Sequence, residues 1–187
     1  MGLTSLGIIH TAISLAAVAA GLIALIRDRE ISSSNRTGKI YVIMTVLTCL
    51  TGFPIFQHGG FGKPHALGII TLIVLGVAAV AERTRYFGRL SRYVAVVSYS
   101  ATFFFHMIPA MTETTTRLPA GAPLVAGRDG PELEKAAGIL FLLFVAGAAL
   151  QVRRLKKSTR PAVSPEPAQH RREVFSTLTK PKAQDTP

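Results

Sequence analysis

From residue 3 to residue 26 the chain runs for 24 residues without one charged side chain. About 20 apolar residues in α-helix cross the hydrocarbon core of a bilayer. In lipid every backbone N–H and C=O needs an internal partner, so a run of this kind has to be helical. Further apolar runs follow at 40–56, 64–81 and 93–111, and at 133–152 with Glu134 and Lys135 in its first turn. The pattern predicts an all-α membrane protein, a helical bundle of five transmembrane spans with a four-helix core and a fifth helix. Composition agrees: 49% of residues are hydrophobic and only 17% are charged, against about a quarter charged in soluble domains. A net charge of +11 suits nucleic acid in other chains. Here the basic residues sit in short runs between apolar segments, which is the membrane-topology pattern. The lipid bilayer, and no nucleic acid, is the expected partner.

The basic runs also set an orientation. Arg27, Arg29, Arg36 and Lys39 lie in the first loop, and Arg83, Arg85, Arg89 and Arg92 in the third. Arg153, Arg154, Lys156, Lys157 and Arg160 follow the fifth span. The second loop holds only Lys63; Arg117, Arg128 and Lys135 are spread over a longer fourth segment. Lys- and Arg-rich loops stay on the cytoplasmic side, which predicts the N-terminus outside and the C-terminus inside. No Lys or Arg precedes the first run, and the run exceeds the length of a signal-peptide core, so a retained first helix is expected. The bundle is expected over 1–152. Residues 153–187 read as a basic, Pro-rich, disordered cytoplasmic tail, since this composition cannot bury a core. The single Cys49 excludes an intrachain disulfide. The expected location is a bacterial cytoplasmic (inner) membrane, crossed several times.

Within the apolar runs, polar side chains recur at helical spacing. Tyr99, Thr102, His106 and Glu113 share one face of the fourth span. Gly7, His10, Ser14, Ala17 and Gly21 line the first span. Tyr41, Thr45, Thr48 and Gly52 line the second; His65, Gly68, Leu72, Gly76 and Ala79 line the third. Small residues let membrane helices approach or leave room for a flat ligand. Lipid offers polar groups no partner, so these faces should look inward. His10, His58, His65 and His106 fall one to a span, all towards the outer end. For His10 and His106 the simplest role is interhelical hydrogen bonding; His58 and His65 read most simply as loop or helix-start residues near water.

Gly7-x-x-His10, the loop ending Gly38-Lys39-Ile40-Tyr41-x-x-Met44, and His65 opening the third span resemble a family of small bacterial integral-membrane proteins, described only as predicted membrane proteins of unknown function. The likeness covers about residues 3–118 and implies fold and location without an activity. Members carry a histidine beside the arginine of the first loop; Ser34 and Asn35 stand there in this chain, so no role for it is carried over. By architecture alone, histidines on successive helices of a small bundle are also similar to b-type cytochromes.

Three functions stay open. The first is haem b binding for electron transfer, with His10 and His106 as the axial pair and His65 and His58 nearby; neutral imidazoles hold haem iron, and a helical bundle can house the ring. The second is a divalent-metal site for transport or membrane hydrolysis, in which His65, His106, Glu113 and His10 would hold Zn or Fe. The third is a non-catalytic membrane subunit or scaffold without cofactor, whose partner is another membrane subunit or a redox protein. The chain contains no H-E-x-x-H, phosphate-loop or nucleotide fingerprint, and no nucleophile elbow.

Overall fold

A computed structural model describes residues 4–55, 60–117 and 130–158. Among these residues there are five α-helices and no strand. They are α1 (Ser5–Arg27), α2 (Arg36–Gly52), α3 (Lys63–Arg83), α4 (Ser91–Arg117), which follows a 3-10 turn at Gly88–Leu90, and α5 (Pro131–Ser158). The chain divides into two units, Met1–Leu155 and Lys156–Pro187. Of the second, only the last turn of α5 is described; His58 and the tail from residue 159 onward lie outside the described residues.

Four helices are long and apolar enough to cross a membrane: α1, α3, α4 with the turn before it, and α5. The described residues are thus all-helical in their regular structure, and the four apolar helices make this a multi-pass membrane protein. The remaining helix, α2, has 17 residues and starts and stops earlier than the apolar run at 40–56. Its start is set by Asn35, whose backbone is extended and whose Oδ1 accepts the Gly38 N–H at 2.8 Å. A side-chain acceptor at this position satisfies a donor that the first turn leaves orphaned. Its end comes at Gly52, with Phe53 and Pro54 in a turn; proline has no N–H to continue the ladder. Conversely, α4 outruns its expected end at residue 111 and passes through Pro109. Beyond the proline, Thr112, Thr114, Thr115 and Thr116 each donate a hydroxyl to the carbonyl four residues back.

The helices pack as two hairpins, α1 with α2 and α3 with α4, joined through α2 against α3 and α1 against α4. The core is Ala20, Ala24, Ile31, Tyr41, Leu75, Ala78 and Tyr99. Two tyrosine rings fit inside because their neighbours are small. A Cβ on Gly21 would stand 2.6 Å from Phe103 Cδ2 and 2.9 Å from Tyr41 Cδ2, so rings from α2 and α4 seat on that glycine. On α3 the inward face is His65, Thr71, Leu75, Ala78 and Ala81. It is turned away from the predicted stripe, and Gly76 is exposed with nothing within 4 Å of an added Cβ. The rotation brings Glu82 inward, for the reason given below.

Helix α5 stands apart. Its only buried residue is Leu133. Phe104 of α4 meets Phe144 in a stacked pair at 5.4 Å and Phe141 edge-on at 5.9 Å. At the far end Ser100 Oγ donates to Gln151 Oε1 (2.9 Å), Gln151 Nε2 to the Arg29 carbonyl (3.1 Å), and Arg154 Nη1 to the Asp28 carbonyl (3.0 Å).

Candidate functional site

Polar side chains gather at both ends of the bundle and are linked along α4. The first gathering was not visible as a site in the sequence. Glu82, in the last turn of α3, accepts hydrogen bonds from four donors: Ser32 Oγ, Ser33 Oγ, the Ser33 N–H at 3.0 Å and Tyr99 Oη at 2.8 Å. Hydrogen bonds to a charged acceptor are the stronger kind. The carboxylate therefore ties the α1–α2 loop to α3 and α4 at once. The loop is shaped to reach it. Arg29 takes a left-handed φ of 61°, uncommon for a residue with a Cβ, and Ile31 behind it is fully buried. Gly38 lies under the loop; a Cβ there would be 1.8 Å from the Ser32 carbonyl oxygen. Beside the cluster, the hydrogen-bonded Arg27 guanidinium holds the Asp28 carboxyl below its ordinary range.

From Tyr99 a polar column runs along α4. The Thr102 hydroxyl donates to the Tyr99 carbonyl at 2.8 Å and meets Tyr41 Oη, also at 2.8 Å; all three side chains are buried. One turn on, His106 Nδ1 donates to the Thr102 carbonyl at 3.3 Å. That leaves the lone pair on Nε2, and Nε2 is buried with no hydrogen-bond partner among the described residues. Thr45 Oγ1 lies beside the Tyr41 hydroxyl but makes no bond of normal geometry. The Tyr41 and His106 rings are 6.2 Å apart.

The predicted histidines are placed as follows. His10, half-buried on α1, bonds through Nδ1 to Thr51 Oγ1 at 3.0 Å. The Thr51 hydrogen goes to the Leu47 carbonyl at 2.8 Å, so the threonine oxygen accepts and the imidazole donates. His10 lies within electrostatic reach of both His106 and Glu113. Those three share one end of the bundle. His65 has a different task. Its Nδ1 accepts the Gly62 N–H at 3.3 Å, and its Nε2 donates to the Phe53 carbonyl at 3.1 Å. Phe53 is where α2 stops, and a carbonyl left without its helical partner needs a donor; His65 supplies it from α3.

The glycines expected to leave room for a flat ring are filled by neighbours. A Cβ on Gly52 would be 3.1 Å from His10 Cε1, and one on Gly68 would be 3.1 Å from Phe53 Cε1. Gly21 likewise lies under Phe103 and Tyr41. Among the described residues no three His, Cys, Asp or Glu side chains converge as a metal site would require. No known protein family, curated protein or solved structure matches the chain. The family resemblance drawn from Gly7, His10, Gly38, Tyr41 and His65 therefore rests on those residues alone.

Proposed function

We propose that the chain is a non-catalytic membrane subunit or scaffold, with five spans, the N-terminus outside and the C-terminus inside. The observation that carries the reading is the engagement of its interior polar groups by one another. Glu82, Tyr99, Thr102, Tyr41, His10 and His65 each bond across or between helices. Such groups align helices rather than present a reacting atom. The second reading, a ligand held by His106 with His10, is favoured by one observation, the buried, unpartnered Nε2 of His106. An absorption spectrum and elemental analysis of the purified protein separate the two. The subunit reading expects colourless, metal-free protein in which His106→Ala costs about 1 kcal/mol, the loss of one hydrogen bond. A Soret band or a stoichiometric metal, lost in His10→Ala and His106→Ala, would sink it.

The orientation has its own test. Ser34 and Gly60 are exposed, in the α1–α2 and α2–α3 loops. With α2 crossing the membrane, Gly60→Cys is labelled by an impermeant maleimide in intact cells, and Ser34→Cys only after permeabilisation. Labelling of both from one side would show that α2 does not cross.

A further inference from the structure

The gap beside α5 is a crevice of about 190 Å³. Its walls are Leu25, Phe103 and Met107 on one side and Leu140, Leu143 and Gly147 on the other. They are almost wholly apolar, and the crevice is open along its flank. A pocket for a drug-sized molecule is about 300 Å³ or more, so this volume suits a single alkyl chain better than a compact ligand. The α5 wall continues at helical spacing from Leu140 through Leu143, Gly147 and Gln151 to Arg154. The last of these is exposed, and its Nη1 is anchored to the Asp28 carbonyl at 3.0 Å. Across from it, Gln151 holds the carbonyl of Arg29, whose side chain is also exposed. The acidic neighbours are already engaged, Asp28 with Arg27 and Glu30 with Arg92. Gln151 thus closes one end of an alkyl-sized slot and bonds the Arg29 backbone, and Arg154 follows three residues on along α5; neither arginine is ion-paired to those carboxylates.

We propose that this crevice holds one acyl chain of an anionic glycerophospholipid, with the headgroup phosphate between Arg29 and Arg154. The lipid adds to the few direct contacts that α5 makes, the Phe104 ring pairs and the Ser100–Gln151 hydrogen bond. Guanidinium matches phosphate in charge and in hydrogen-bond geometry. The proposal is independent of the subunit reading, since it concerns the outer flank and not the polar column.

The test is native mass spectrometry of the full chain, loaded in mild detergent with phosphatidylglycerol or with phosphatidylcholine of the same chains. One phosphatidylglycerol should be retained in preference to phosphatidylcholine. Arg29→Gln and Arg154→Gln should each reduce that preference about fivefold, the effect of one basic residue near an anionic lipid. Gly147→Leu should lower retention of both lipids about tenfold, as displacement of about two buried methylenes would. Gly147 lines the crevice and a Cβ there meets nothing within 4 Å, so the substitution begins from open space at its wall. Equal retention of the two lipids by the wild type would overturn the proposal. So would undiminished retention by Gly147→Leu. A dimer abolished by Gly147→Leu would assign the crevice to a second copy of the chain instead. Should that variant not fold, Arg29→Gln decides, because its side chain is exposed and bonds nothing that the fold needs.

Discussion

Gly38→Ala is expected to destabilise the protein by about 3 kcal/mol, at the upper end for a forced overpacking. The added methyl would sit 1.8 Å from the Ser32 oxygen and 2.7 Å from the Ser32 carbonyl carbon. Both are backbone atoms, so no side-chain rotation relieves the clash. The α1–α2 loop has to lift, and lifting it withdraws Ser32 and Ser33 from Glu82. Thermal unfolding of the detergent-solubilised protein measures the loss. Gly76→Ala and Gly138→Ala are the controls. Both positions are helical and open to an added Cβ, and alanine there should stabilise by up to about 1 kcal/mol. A Gly38→Ala protein as stable as these controls would show that the α1–α2 loop does not pack against Gly38.

Glu82→Ala is expected to cost about 3 kcal/mol, since it removes a charged acceptor from several donors together. Tyr99→Phe should cost about 2 kcal/mol, the value of one hydrogen bond to a charged group. The double variant should lose less than the sum of the two, because the Tyr99 hydroxyl has no carboxylate left to bond once Glu82 is gone. Residues sharing a network couple by about 0.5–3 kcal/mol, whereas independent sites add. Additive losses in urea or thermal unfolding would show that Tyr99 and Glu82 do not act on each other.

The helices were legible from the uncharged runs, because lipid leaves the backbone no other solution. The buried face of α4 was legible as well: Tyr99, Thr102 and His106 recur at helical steps and are buried. The turn of α3 was harder to read. Gly68, Gly76 and Ala79 made a plausible small-residue stripe, but Glu82 fixes the rotation, and a single carboxylate in a basic segment reads as solvated. Ser32 and Ser33 were hidden in the same way. A serine run beside arginines resembles any surface loop until folding brings it to a partner 49 residues away. The one available signal was that Glu82 immediately follows an apolar run, where an acidic group at the interface needs donors. The role of His65 depended on α2 ending at Gly52, and helix ends are the least readable part of a span.

The shortness of α2 also bears on the membrane around it. Its apolar helical part, residues 40–52, rises about 20 Å at 1.5 Å per residue, against a hydrocarbon layer of about 30 Å. Ile40, Ile43, Leu47 and Leu50 are exposed along it, so with α2 as the proposed fifth span lipid tails would meet this helix directly. Tails beside a short hydrophobic surface compress or tilt to match it, at a modest cost for each ångström of difference. On the proposed five-span reading, the protein should therefore dent the bilayer on one flank and partition into thinner regions, and a change in lipid chain length should alter its distribution before it alters its fold.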